Sequence, residues 1–261
     1  MTTVLKRNNW VIWRDVIFAL FVREIRTGFN DKFGLAWAVL QPLSFIFLLS
    51  YLRGLIAGSE SHTVPTFDFM MYGMLLIQLF LDTFTNSSNS IKKNKALFAF
   101  RQVQPISSVL ASSCFYLLVK LFVFVLILLL MFLLKMDIKI DDPLFVITNV
   151  IAVWVIATSL GLLFAIGQCY VPEITKMQSI LTRPLFFISG VFFSMQDIPK
   201  EYWPYLDWNP ILHAIELTRH AAYNTYPTEA VSEFYLLTCT IVLLFFALAV
   251  YHISWKQALS R

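Results

Sequence analysis

Three charged residues of this sequence lie inside long apolar stretches: Asp82, Lys120 and Arg183. Charges within a membrane are costly, so they usually face a bundle interior or a water-filled path. Lys120 is expected either to take part in function or to form a structural ion pair, whereas Asp82 could lie at a helix end. Arg183 precedes Pro184 and could bind an anionic group, because its guanidinium can make two hydrogen bonds to a phosphate. The alternative is that Arg183 extends to the membrane surface.

A second group of candidates lies in the segment 91–105, IKKNKALFAFRQVQP. It combines Lys and Arg residues with the apolar Leu97, Phe98 and Phe100. Apolar side chains surrounded by charge are typical of protein contacts. The segment predicts a docking site for a partner protein, with a solvated basic loop as the alternative.

The stretch 9–27 predicts an amphipathic helix on the inner membrane surface. Trp10 and Trp13 can share one face, while Arg14 lies on another. This helix is expected to be either an anchor alone or an anchor that also docks a cytoplasmic partner.

Known catalytic and nucleotide-binding motifs are absent from the sequence. It has no G-x-x-x-x-G-K-[ST] phosphate loop, no G-x-S-x-G, no H-E-x-x-H and no Cys/His cluster. Cys114, Cys169 and Cys239 are far apart and are expected to be small buried hydrophobes. The chain is therefore predicted to be neither an enzyme nor a metal protein.

The elements that must position these residues are membrane spans. Of the 261 residues, 58% are apolar and only 14% are charged, against roughly 25% charged in a soluble domain. A span needs about 20 apolar residues, and the sequence predicts a single all-α domain over 1–261 with six of them. The predicted spans are about 33–52, 69–86, 106–134, 144–168, 177–195 and 234–253.

The distribution of basic residues predicts the orientation. Most of the 20 Lys and Arg residues fall on one side when the spans alternate, and this side is the cytoplasm by the positive-inside rule. Both termini are then cytoplasmic. Because the basic residues form no single stripe, nucleic-acid binding is not expected.

The segment 198–223 is rich in Pro and Trp and lies on the outer side between spans five and six. Its prolines forbid one continuous helix, although residues 211–223 predict a short one. Trp203 and Trp208 are expected at the outer interface. Acidic residues of this region, including Glu216, keep open the alternative of a membrane glycosyltransferase or polymerase.

This layout resembles the permease subunit of type-2 ABC exporters, in particular the bacterial group that exports capsular polysaccharide and is related to O-antigen permeases. Three stretches carry the resemblance: REIRTGFNDKFGLAWAVLQPL at 23–43, the loop 93–106, and 171–223 with RPLFFISGVFFSMQDIP and WNPILHAIELTRHAAY. Together with the span order they cover nearly the whole chain. Export of O-antigen, a drug or a lipid is the alternative within the family.

The resemblance implies an inner-membrane homodimer that pairs with a separate ATP-binding cassette ATPase. ATP and Mg²⁺ would bind that subunit, and this chain would hold no cofactor. A lipid-linked, anionic polysaccharide is the implied substrate, with membrane lipid around the bundle and periplasmic and outer-membrane components continuing the route. Segment 198–223 would form short re-entrant helices.

The resemblance also assigns expected roles to single residues. Residues expected to couple to the ATPase are Arg14, Arg23, Arg26, Lys92, Lys93, Lys95 and Arg101. Residues expected along the substrate path are Lys120, Arg183, Phe186, Phe187, Phe192 and Phe193, with the alternative that each Phe only packs in the bundle or meets lipid. Residues expected in the outer re-entrant segment are Trp203, Trp208, Glu216 and Arg219.

Overall fold

The computed structural model describes residues 8–28, 34–57, 60–100 and 102–259. Within them the chain is almost wholly helical, which confirms the predicted all-α class. The α-helices are α1 (Asn9–Gly28), α2 (Gly34–Ala57), α3 (Thr66–Lys93), α4 (Pro105–Leu133), α5 (Pro143–Tyr170), α6 (Ile174–Ile188), α7 (Pro210–Ala222) and α8 (Glu233–Leu259). Two short strands, β1 (Glu60–Ser61) and β2 (Val64–Pro65), form an antiparallel ladder before α3.

Four of the described helices are long and apolar enough to cross a membrane: α3, α4, α5 and α8. Helix α2 carries a shorter apolar segment, Leu40–Leu55. These helices define a multi-pass membrane protein, while the count of six spans stays a prediction.

Helix α3 forms the centre of the bundle and packs against α2, α4, α5 and α7. The most apolar window of α3 is 83% buried, against 17% in α4 and α8. Helix α5 approaches α3 closely at Gly161, where a Cβ would lie only 2.6 Å from the Cβ of Ser87. Because α3 is enclosed by protein, it can carry polar side chains that a lipid-facing helix could not.

The helix predicted over 177–195 ends earlier than expected. Helix α6 stops at Ile188, and Gly190 follows with a φ of 74°. A glycine in this left-handed conformation commonly terminates a helix, because other residues adopt it only with strain. With 15 residues, α6 is shorter than the roughly 20 that a straight span needs.

The segment after α6 breaks into short helices at its prolines, as expected. Two 3₁₀ helices, Met195–Asp197 and Lys200–Tyr205, precede α7. Pro210 occupies the first turn of α7, where a missing N–H does no harm. The side chain of Asn209 caps this helix by accepting a hydrogen bond from the N–H of Ile211 at 3.0 Å.

Candidate functional site: a polar cleft between helices

Lys120 of α4 and Asp82 of α3 form an ion pair, with 2.7 Å between Nζ and Oδ2. The ammonium also donates a hydrogen bond to Oε1 of Gln78 at 3.2 Å. Gln78 and Asp82 lie four residues apart and therefore on one face of α3. Asp82 is well inside this helix rather than at its end, and Lys120 has a partner within the chain.

This ion pair lies in a cleft of about 430 Å³ between α2, α3, α4 and α6. Half of the residues that line the cleft are polar, although the helices around it are mostly apolar. Its polar lining side chains are Gln41, Gln78, Asp82, Asn86, Tyr116 and Lys120. Phe45 and Phe186 are among its apolar lining residues, so hydrogen-bonding groups and aromatic rings share one space.

Sequence reasoning missed four polar residues of the cleft: Gln41, Gln78, Asn86 and Tyr116. A signal for two of them was present, because Gln78, Asp82 and Asn86 recur at a spacing of four residues. In an otherwise apolar helix, this spacing predicts a polar stripe along one face. Uncharged amides attract less attention than charges, although they too need partners inside a membrane.

Three of the four phenylalanines expected along the substrate path are brought together. The rings of Phe186, Phe187 and Phe192 have centroid separations of 5.3–5.8 Å. Phe186 also lines the cleft, so the cluster of three aromatic rings continues from the cleft wall. Phe193 has no ring contact with the other three among the described residues; its backbone carbonyl accepts a hydrogen bond from Arg219 at 3.5 Å.

Arg183 is exposed on α6 and does not line the cleft. No residue in the described part of the chain forms a hydrogen bond or an ion pair with its guanidinium. Its proposed contact with an anionic group stays a prediction.

Helix α1 is tied to the C-terminal end of α3. The buried Glu24 forms ion pairs with Lys93 at 2.9 Å and with Arg23 at 3.3 Å. Arg23 also donates a hydrogen bond to the side chain of Asn94. Two of the residues expected to contact an ATPase therefore also hold the chain's own helices together.

The other residues expected to couple to the ATPase lie mostly at the surface. Arg14 pairs with the neighbouring Asp15 at 3.1 Å, while Arg26 and Lys92 are exposed. Lys95 begins a 3₁₀ helix, Lys95–Ala99, in the predicted loop 91–105, and α3 extends into that loop as far as Lys93. Arg101 lies outside the described residues.

Segment 198–223 contains a buried ionic network centred on Arg219. Its guanidinium bonds to Glu216 at 2.7 Å and to the carbonyls of Phe69 and Val191, both at 3.1 Å. Arg219 is fully buried, and the other oxygen of Glu216 accepts a hydrogen bond from Tyr226 at 2.9 Å. The network fixes α7 to the start of α3 and to the turn after α6.

The two tryptophans of segment 198–223, Trp203 and Trp208, both donate hydrogen bonds to the backbone. Trp203 Nε1 donates to the carbonyls of Met195 and Ile198 at 3.0 and 2.9 Å. Trp208 Nε1 donates to the carbonyl of Tyr205 at 2.8 Å, and its ring is half exposed. Trp203 stabilises the 3₁₀ turns, whereas Trp208 is available at the surface.

Asp197 joins three parts of the chain. It accepts hydrogen bonds from the N–H of Ser194 at 2.8 Å and from His62 at 2.7 Å, and it lies 3.5 Å from Arg53. Burial raises the pKa of this carboxyl, but the Ser194 N–H, His62 and Arg53 outweigh burial and leave the pKa below its usual value. Asp197 is therefore held as a carboxylate.

The described residues contain no group of three or more His, Cys, Asp or Glu side chains that could hold a metal ion. Glu216, which kept open the enzyme alternative, and the nearby Asp197 are both engaged in ion pairs. Their partners are structural groups of the same chain.

A multi-pass helical membrane protein with a polar cleft between its helices is the class that this architecture defines. The model of the ABC-2 type transporter family matches residues 4–223, and the chain belongs to that family.

Individual relatives match along most of their length. The chain is 32% identical to the polysialic acid transport protein KpsM of Escherichia coli, over 95% of this chain and 96% of the relative. It is 24% identical to the capsule polysaccharide export inner-membrane protein CtrC of Neisseria meningitidis serogroup A, over 92% and 91%. It is 26% identical to the capsule polysaccharide export inner-membrane protein BexB of Haemophilus influenzae, over 84% and 83%.

Proposed function

We propose that this chain is the membrane-spanning permease of an ATP-driven exporter that moves capsular polysaccharide from the cytoplasm across the inner membrane. The observation that carries the proposal is the end-to-end similarity to KpsM, a polysialic acid transport protein. Two further capsule-export proteins match over more than four fifths of the chain. The polar cleft supports the proposal, because a transporter of hydrophilic cargo needs polar groups within its bundle.

Energy for export would come from a separate ABC ATPase. The sequence lacks a phosphate loop, so ATP and Mg²⁺ are assigned to that partner and no cofactor to this chain. The exposed Lys92 and Arg26 lie on the same side of the bundle as the α1–α3 contact. We assign the docking surface for the ATPase to these two residues. Periplasmic and outer-membrane components would continue the route.

A second copy of the chain would complete the transport path. Helix α6 buries only Gln178, and α2 exposes large apolar residues such as Trp37, Tyr51 and Leu55. Such surfaces must be covered by lipid or by protein. We assign the faces of α2 and α6 to a homodimer contact beside the cleft.

The six-span topology belongs to the same proposal, with α2 and α6 as the first and fifth spans and both termini in the cytoplasm. Helix α6 would cross together with the turn and short helices that follow it, rather than as one straight helix. The segment with α7 would then be re-entrant from the outer side. In this arrangement the exposed Arg183 and the aromatic cluster of Phe186, Phe187 and Phe192 face the dimer path, where Arg183 would meet an anionic or lipid-linked end.

Two measurements test the proposal. A strain that lacks the gene should lose surface polysaccharide and regain it when the gene is restored. The chain, co-expressed with the candidate ATPase, should purify as a complex whose ATP hydrolysis requires both proteins. Unchanged surface polysaccharide in the deletion strain, or a chain that never recruits the ATPase, would refute the assignment.

A further inference from the structure

The polar lining of the cleft carries no net charge. The ammonium of Lys120 lies 2.7 Å from the carboxylate of Asp82, so their charges cancel, and Gln41, Gln78 and Asn86 contribute neutral amides. An amide offers both a hydrogen-bond donor and an acceptor. The lining therefore suits a ligand with many hydroxyl groups better than a phosphate or a carboxylate, for which unpaired cations would be required.

The apolar lining complements these groups. Phe45 and Phe186 line the cleft, and the ring of Phe186 contacts Phe192 at a centroid distance of 5.4 Å. A pyranose ring has an apolar C–H face and a rim of hydroxyls. Aromatic rings and amides that line one cleft match both features of one sugar residue. The cleft volume of about 430 Å³ falls within the range of roughly 300–1,000 Å³ typical of small-molecule sites.

The cleft is also reachable from the surface of the chain. The side chain of Asp82 is 45% exposed although it belongs to the central helix, and Gln41 is exposed on α2. Lys120 is far less accessible, with 11% of its side chain exposed. A ligand that enters on the side of the cleft where Gln41 and Asp82 are exposed therefore meets the carboxylate and the amides before it meets the ammonium.

We propose that this cleft binds the uncharged face of individual sugar residues in the exported polysaccharide. Gln78, Asp82 and Asn86 form hydrogen bonds to the sugar hydroxyls, and the aromatic rings cover its C–H face. Lys120 is a positioning residue that holds the Asp82 carboxylate in place, and it does not receive an anionic end of the polymer. This inference rests on the proposed function, which says what is moved but not where it is held.

The amides of α3 provide a matched test. Asn86→Leu removes an amide from the cleft, whereas Asn89→Leu removes one from the same helix, where Asn89 donates only to the carbonyl of Thr85 at 2.7 Å and does not line the cleft. Gln78→Leu and Gln41→Leu are additional cleft variants. If Asn86→Leu does not assemble, Gln41→Leu replaces it, because an exposed side chain tolerates substitution.

The probe is a fluorescently labelled oligosaccharide cut from the capsule of the strain that carries the gene. Its binding to the permease–ATPase complex in phosphatidylcholine nanodiscs is followed by fluorescence anisotropy, after size-exclusion chromatography has verified assembly. Loss of one cleft hydrogen bond is expected to raise Kd about tenfold for Asn86→Leu and for Gln78→Leu. Asn89→Leu should bind as the wild type does.

The outcomes separate this inference from the function on which it rests. Equal Kd values for all variants, or a wild-type complex that exports capsule but does not bind the oligosaccharide, would overturn the cleft assignment and leave the exporter intact. A wild-type chain that neither restores capsule nor recruits the ATPase would overturn both.

Discussion

Glu24 of α1 and Lys93 at the C-terminal end of α3 are joined by an ion pair of 2.9 Å, which links the two helices. Glu24 is 92% buried by side chain, and Lys93 is 60% exposed. A carboxylate this buried is stable only because its partners stay in place. Helix α1 and the segment after α3 therefore form one mechanical unit, which a force on either part would move together.

The first prediction concerns this unit. Glu24→Gln and Lys93→Gln should each lower the free energy of unfolding by about 1 kcal/mol, and the double substitution should lose less than the sum of the two, because both remove one interaction. Thermal unfolding in detergent of the wild type, the two single variants and the double variant measures these losses. Strict additivity would show that the pair does not couple α1 to α3.

The second prediction separates folding from ATPase contact within one basic run. Lys92 is exposed next to Lys93, yet of these two lysines it is Lys93 that pairs with Glu24. Lys92→Gln should leave thermal stability unchanged and weaken co-purification with the ATPase, whereas Lys93→Gln should affect stability as well. Lys176→Gln, a charge removed from the start of α6, is the control. Normal recruitment by Lys92→Gln would exclude Lys92 from the contact.

The third prediction follows from the unequal exposure of the Lys120–Asp82 pair. Asp82→Asn leaves an ammonium that is only 11% exposed without its counter-charge, whereas Lys120→Met leaves a carboxylate that is 45% exposed and less enclosed by protein. Asp82→Asn should therefore be the more destabilising, by about 1–3 kcal/mol, and Lys120→Met should restore part of that loss in the double variant. Thermal unfolding of the wild type, the two single variants and the double variant tests this order of stability. Equal losses from both single variants would contradict the ordering.

The fourth prediction concerns Arg219, whose guanidinium bonds to Glu216 and to carbonyls of two further segments. Lysine has the same charge but lacks the planar fork that reaches several acceptors at once. Arg219→Lys should lose about 3–5 kcal/mol, as expected when a buried charge network is broken, and yield little folded protein. Arg183→Lys, on an exposed position of α6, is the control and should be produced normally.

Much of the helical layout could be predicted from composition and the spacing of charges, because lipid imposes long apolar helices on the chain. The end of α6 was misplaced because phenylalanines on both sides of Gly190 continue the apolar run, while the left-handed φ that stops the helix leaves no trace in hydropathy.

The candidate site was predicted only in part, for a different reason. Lys120 is conspicuous in the sequence, but its partner depends on how α3 and α4 pack together. Glu24 and Asn94 were missed in the same way. Glu24 pairs with Lys93 and Asn94 with Arg23, and these partners are about 70 positions apart in the sequence. Sequence spacing identifies faces of one helix, whereas these pairs depend on which faces meet.

The last prediction is a pH dependence of stability at Asp197. Its pKa is lower in the folded chain than in an unfolded one, so its carboxylate stabilises the fold fully above the unfolded pKa of about 3.9 and loses this effect as the pH falls through the folded pKa. Asp197→Asn should lower Tm by a few degrees at pH 7. As the pH is reduced below about 4, the wild type loses the same interactions and the two Tm values should converge.

Glu201→Gln, which changes an exposed neighbouring acid, is the control and should match the wild type at every pH. A constant difference in Tm between pH 7 and pH 3 would show that the contribution of Asp197 does not come from its charge.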